Sequence, residues 1–163
     1  MSDCCSVPKT DSPPPAVMAC PSCGNRSKQV DTLTVKSLVR RLPIGMPHTQ
    51  YYFCAAPGCD VVYFASHADA PSFGRSDLSV RVGAKETEDP ISVCYCFGVT
   101  RKDIEDEVAQ TGHSTIGERI TAEVKAGNCA CEVKTPSGKC CLGDITRAIK
   151  DALQTLQGSA VAR

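Results

Sequence analysis

Cysteine carries most of the chemistry available to this sequence. Twelve cysteines occur in 163 residues, and they are grouped as Cys4-Cys5, Cys20-x-x-Cys23, Cys54-x4-Cys59, Cys94-x-Cys96, Cys129-x-Cys131 and Cys140-Cys141. Sulfurs so closely spaced can converge on a soft cation or a cluster, close disulfides, or exchange electrons. The opening stretch MSDCCSVPKTDSPPP has no basic n-region and no apolar h-region. A cytoplasmic, reducing setting is therefore expected, in which clustered thiols hold metal more often than they cross-link.

The first four of these thiols have the anatomy of two metal knuckles. "ACPSCGN" spaces Cys20 and Cys23 by two residues and follows them with Gly24, while "YYFCAAPGCDVVYF" spaces Cys54 and Cys59 around Pro57-Gly58. Short spacing lets both sulfurs reach one ion, and Gly or Pro-Gly allows the tight backbone turn. The second pair lies between the apolar runs Tyr51-Tyr52-Phe53 and Val61-Val62-Tyr63-Phe64, which predicts the turn of a β-hairpin. Four thiolates make a closed tetrahedral Zn2+ site with no open position for substrate, so the expected role is structural. His48 and His67 fall in loops and His113 at a helix end, where it can reach the terminal carbonyls; none is needed as a ligand.

The later cysteines stand ahead of helices. After Cys94 and Cys96, "GVTRKDIEDEVAQTG" has Thr100 and Asp103 in a capping-box arrangement, Ile104 and Val108 on one face, and Gly112 as a stop. A second helix is predicted in "IGERITAEVKAG", with Ile116, Ile120 and Val124 on one face, and a last one in "GDITRAIKDALQTLQ", with Ile145, Ile149 and Leu153. Between them lies the loop "NCACEVKTPSGKCCLGDI", holding Cys129, Cys131, Cys140 and Cys141. Helix N-termini favour anionic sulfur and should lower thiol pKa values there. Four such thiolates suit an iron–sulfur cluster or a second zinc ion; C-x-C spacing, unusual for zinc knuckles, favours the cluster.

The elements needed to position these groups divide the chain. Residues 1–16 read as a flexible Ser/Pro-rich tail carrying Cys4 and Cys5, residues 17–88 as a β-rich zinc-binding unit, and residues 89–163 as a helical unit, with the charged stretch "KETEDPIS" at the junction. Alternation predicts strands at Thr32 to Val35 and at Leu78, Val80 and Val82. The fold class expected is α+β. With 18 Lys+Arg against 18 Asp+Glu, no global field points to nucleic acid, and no apolar run is long enough for a membrane span. No Ser/His/Asp or Cys/His constellation, phosphate loop or paired acid suggests side-chain catalysis.

These motifs jointly resemble a known family. "VCYCFGVT" followed by "CEVKTPSGKCCLGDI" is similar to the bacterioferritin-associated-ferredoxin type of 2Fe-2S domain, and the preceding "CPSCG", "YYFCAAPGCDVVYF" and "VRVGAKE" resemble the zinc-binding part of CopZ-type copper chaperones. The resemblance covers about residues 18 to 157. It implies Zn2+ on Cys20, Cys23, Cys54 and Cys59, and a 2Fe-2S cluster on Cys94, Cys96, Cys131 and Cys141, with Cys129 and Cys140 as alternates. Cys129, Cys140, Cys4 and Cys5 are then candidates for soft-metal capture. Electron transfer in copper homeostasis is implied, such as Cu(II) to Cu(I) reduction and delivery of Cu+ as a transient cargo, to a copper-transporting ATPase or a separate heavy-metal-domain chaperone. Any enzymatic activity would be at most a cofactor-based cupric reductase. The alternative is a non-redox zinc-binding interaction or metal-storage protein.

The family's full-length members add a heavy-metal domain with a Met-x-Cys-x-x-Cys loop. Here Met18, Cys20 and Cys23 spell that motif. A metal-transfer loop should lead into a helix, whereas the strand expected at Thr32 to Val35 favours a zinc knuckle.

Overall fold

The computed structural model describes residues 13–161, so Cys4 and Cys5 lie outside the described residues. The first half of the chain forms an antiparallel sheet of β1 (Val17–Ala19), β2 (Arg26–Val30), β3 (Tyr51–Phe53), β4 (Val61–Ala65) and β5 (Phe73–Gly74), in that spatial order. β3 and β4 form the hairpin that the apolar runs predict, with Tyr51 opposite Ala65 and Phe53 opposite Tyr63. Period-two alternation sends neighbouring residues of β3 to different cores. Tyr51 and Phe53 pack with Val30, Tyr63, Phe73 and Val35. Tyr52 packs with Phe64 and with three of the thiols, Cys20, Cys54 and Cys59.

Order begins before β1. Gln29 donates to the carbonyls of Pro14 and Pro15, at 3.0 and 2.9 Å, and the Tyr52 hydroxyl donates to Pro15 at 2.7 Å. The end of the proline run is therefore held against β2 and β3.

Two expected strands are replaced by other structure. Thr32–Leu38 is a helix, α1, because Asp31 caps it by accepting from the Leu33 amide at 2.7 Å and its Thr34, Val35 and Leu38 side chains form one buried stripe. The short alternation at Thr32 to Val35 cannot be distinguished from such a stripe over so few residues. Residues 78–82 make no strand either: Leu78 forms a single bridge with Val39, and 3-10 turns at Arg75–Asp77 and Gly83–Lys85 flank it. Leu78 and Val82 are still buried in the sheet core, so the alternation records burial without pairing.

The second half begins with a small hairpin of β6 (Ser92–Cys94) and β7 (Val99–Thr100), followed by α2 (Arg101–Thr111), α3 (Ile116–Lys125), the short α4 (Cys131–Lys134) and α5 (Leu142–Val161). α2 starts with the Thr100–Asp103 capping box and ends at Gly112 in the left-handed region, with φ +77°. Ile104, Val108, Ile116, Ile120 and Ile145 meet in one core, and Cys94 and Cys141 belong to it.

The halves are joined by specific polar contacts. Thr34 on α1 donates to the Glu132 carbonyl on α4 at 2.7 Å, and the buried Tyr63 hydroxyl donates to the Pro136 carbonyl at 2.6 Å. Tyr95, between Cys94 and Cys96, accepts from the Gly83 amide at 2.7 Å and donates to the Arg81 carbonyl at 3.0 Å.

Gly138 is a tight point of this joint. Its φ is +66°, and a Cβ there would lie 2.6 Å from Thr34 Oγ1. Gly138→Ala is expected to cost about 1–3 kcal/mol, from backbone strain and overpacking together. Urea unfolding should show a lower midpoint at unchanged m-value. In a Thr34→Ala background the same substitution should cost less, since only the backbone part remains. An equal cost in both backgrounds would mean that the contact is not what excludes a side chain.

Candidate metal centres

The two knuckles converge because the sheet brings them together. Cys20 follows β1 and its amide donates to the Asn25 carbonyl at 2.9 Å, closing the turn that carries Cys23 into β2. Cys54 follows β3 and Cys59 precedes β4, with the Cys54 amide bound to the Val62 carbonyl at 2.9 Å and the Cys59 amide to the Ala56 carbonyl at 3.2 Å. The sulfurs of Cys20, Cys23, Cys54 and Cys59 all lie within 4.8 Å of one another. Cys20 and Cys59 are 3.9 Å apart, and Cys23 and Cys54 3.7 Å. A tetrahedron of sulfurs about 2.3 Å from a central zinc has edges of about 3.8 Å, so the donor set has the size and the chemistry of a closed zinc site.

Main-chain amides support the sulfurs. Those of Asn25, Ala56 and Val61 donate to the sulfur two residues earlier, on Cys23, Cys54 and Cys59 respectively. The acidities show what such a cluster lacks without a cation. Cys23 gains from the Asn25 amide, yet desolvation and the thiols of Cys59, Cys54 and Cys20 push it up to about 12. Burial raises Cys54 above the usual thiol range, offset in part by the Ala56 amide, Cys23 and the charge of Lys85. Cys59 is raised by burial but brought down to about 7 by hydrogen bonds from Ser22, Cys23, the Val61 amide and Cys20. Four thiols packed so closely cannot all ionise together unless a cation is among them.

Lys85 is a residue that the sequence reading passed over. It stands in the charged stretch taken as a junction, yet it is 1% exposed, and its Nζ donates to the carbonyls of Ala56 and Cys59, both at 2.9 Å. One lysine among several charged residues carries no signal of burial; only its place in a turn behind the Cys54–Cys59 loop does so.

The other cysteines form a different array. Cys94 ends β6, Cys96 lies in the turn to β7, Cys131 starts α4, and Cys141 stands immediately before α5, where its carbonyl accepts from the Ile145 amide at 2.9 Å. The sulfurs pair crosswise: Cys94 with Cys141 at 2.9 Å, and Cys96 with Cys131 at 3.6 Å. Among the described residues, Cys20, Cys23, Cys54 and Cys59 are the one set of three or more potential ligands gathered within 4.8 Å, so these two pairs do not close into a compact tetrahedron. The Ala130 amide donates to the Cys96 sulfur at 3.3 Å.

The expectation of lowered thiol pKa values at helix starts is corrected here. Cys141 is raised, by burial first and then by Cys94, and Cys131 is raised by burial and Cys96. In this apolar core desolvation outweighs the helix dipole.

Cys129 is half-buried and Cys140 exposed. Burial and the nearby thiols of Cys131 and Cys140 raise Cys129. His48 and His67 stand in loops, and His113 Nδ1 lies 3.1 Å from the Thr111 carbonyl at the end of α2. Among the described residues, no helix is long and apolar enough to cross a membrane.

The chain is similar to known proteins in sequence and in fold. The family model of the CopZ zinc binding domain matches residues 17–79. The copper chaperone CopZ of Archaeoglobus fulgidus is 36% identical over 125 residues, which is 77% of this chain and 58% of that protein. The chain thus spans less than two thirds of the chaperone's length. The X-ray structure of the Archaeoglobus fulgidus CopZ N-terminal domain superposes with a TM-score of 0.63 at 34% identity, over 80% of this chain and 96% of that one. The helix α1 removes one argument for a zinc knuckle at Cys20 and Cys23, but strand β2 directly follows the pair, and the zinc-domain match includes it. With a zinc-binding domain, a gathered four-thiol site and a nearly complete match to the CopZ N-terminal domain, the chain belongs to the CopZ family.

Proposed function

We propose that the protein is a two-centre metal-handling module of copper homeostasis, with Zn2+ held by Cys20, Cys23, Cys54 and Cys59 and a 2Fe-2S cluster held by Cys94, Cys96, Cys131 and Cys141. The observation that carries the second centre is the crosswise pairing of its sulfurs, Cys94 with Cys141 and Cys96 with Cys131. A single zinc ion draws four sulfurs to one point, whereas a binuclear cluster takes two thiolates on each iron. When bound, the cluster supplies one-electron chemistry, sufficient to convert Cu(II) to Cu(I).

The chain's own residues shape that site. Cys94 and Cys141 are buried in the helical core, which keeps water from one end of the array, while half-exposed Cys96 and Cys131 form the end nearer solvent. Cys129 and Cys140 belong to neither close pair and flank the more exposed end, where soft thiolates suit a Cu+ cargo. Onward delivery to a copper-transporting ATPase or a heavy-metal-domain chaperone fits this reading.

Protein produced anaerobically with iron supplied is expected to contain about two iron, two sulfide and one zinc per chain. Metal analysis with acid-labile sulfide decides it: two zinc and no sulfide would replace the redox reading with a non-redox zinc protein.

Serine substitutions test the ligand set separately. Cys131→Ser and Cys141→Ser should abolish or grossly alter the reduced-state EPR signal, and Cys129→Ser and Cys140→Ser should leave it intact. The reverse pattern would move the second pair of ligands to Cys129 and Cys140.

A further inference from the structure

Lysine is almost never buried without a partner, because an ammonium loses its hydration and needs both hydrogen-bond acceptors and a counter-charge. Lys85 is 1% exposed and has two acceptors, the Ala56 and Cys59 carbonyls. Among the described residues no carboxylate makes an ion pair with it. Both of its acceptors belong to the Cys54–Cys59 loop, so the ammonium sits directly behind two of the four gathered thiols. The ammonium and the thiol site act on each other electrostatically, since the charge of Lys85 favours the Cys54 thiolate. Four thiolates around one divalent cation carry a net charge of about −2, an anion buried beside a cation.

We propose that Lys85 is the built-in counter-charge of the zinc tetrathiolate, a positioning residue that holds the Cys54–Cys59 loop in shape and makes zinc slow to leave. The inference rests on the zinc assignment above. The lysine compensates half of the excess charge, which stabilises the anionic site as a whole against loss of the metal. Its two hydrogen bonds fix the loop on which Cys54 and Cys59 stand, so charge and shape act at the same point.

Three variants of the full chain separate charge from hydrogen bonding. Lys85→Gln keeps a donor for the carbonyls without charge, Lys85→Arg keeps charge and donors, and Lys85→Met keeps only the apolar stem. Each is loaded with zinc, checked for one zinc per chain, and mixed with excess chromogenic chelator. The rate of zinc transfer is read alongside the thermal midpoint. Zinc loss about tenfold or more faster in the Gln and Met variants, with the Arg variant close to the original protein, is the expected result. Variants of Gln and Met that purify without zinc, while the Arg variant retains it, would support the proposal in a stronger form. A Gln variant that holds zinc as long as the original protein would overturn it, leaving Lys85 a hydrogen-bond donor only. Loss of zinc from all three would also overturn it, since lysine's shape and not its charge would then be required. An original protein that binds no zinc would overturn the zinc assignment and the proposal with it, a result distinct from a failure in the variants alone.

Discussion

The interaction on which the first half of this protein depends is the mutual repulsion of four close-packed sulfurs, three of them on buried residues, that must nevertheless stay together. Cys20, Cys54 and Cys59 are nearly inaccessible, packed with the stacked rings of Tyr52 and Phe64 at 5.5 Å. Burial disfavours the thiolates of Cys54 and Cys59 separately, and four negative charges gathered so closely would repel one another. A divalent cation reverses both effects, which is why metal binding in small domains of this kind is also folding free energy, on the order of 10 kcal/mol. The hairpin β3–β4 supplies the backbone part by setting Cys54 and Cys59 together in the loop that joins its strands.

From this centre a short physical path runs to the second thiol array. The 3-10 turn Gly83–Lys85 touches both: Lys85 binds the carbonyls of the zinc loop, and the Gly83 amide binds the hydroxyl of Tyr95, between Cys94 and Cys96. Gly83 cannot carry a side chain here, since a Cβ would lie 2.0 Å from the Ser92 carbonyl. The close approach of the turn to β6 is thus a requirement of the joint. With the Thr34–Glu132 and Tyr63–Pro136 contacts, it makes the two halves a packed pair and not beads on a linker.

What could be read in advance follows the range of the interactions. The β3–β4 hairpin, the Thr100–Asp103 cap and the Gly112 stop depend on residues a few positions apart, and spacing reveals them. α1 was concealed because Thr32 to Val35 satisfies both periods over a single turn, and the decisive feature is the Asp31 cap. The strand expected at Leu78 to Val82 fails because alternation reports burial, while a strand also needs a neighbour to pair with. Lys85 and the crosswise order of the later sulfurs were invisible for a deeper reason. They depend on contacts between residues 26 to 47 positions apart, and no local pattern encodes which distant loop a lysine or thiol will face.

On the proposed two-centre reading, the contrast between the two thiol arrays bears on how such a module could hold two metals without mixing them. The first array is compact, with all sulfurs within 4.8 Å, mostly buried, and backed by a fixed positive charge. The second is drawn out into two pairs, one in the apolar core and one half-exposed, and has two further thiols beside it. A soft monovalent ion is satisfied by two thiolates, so thiols left open can take it up without dismantling a closed zinc tetrahedron. It gains most where uncommitted sulfur is exposed, and among the described residues that is Cys140 and half-buried Cys129. On the proposed reading, the selectivity of the module lies in which thiols the fold has already committed and which it has left open.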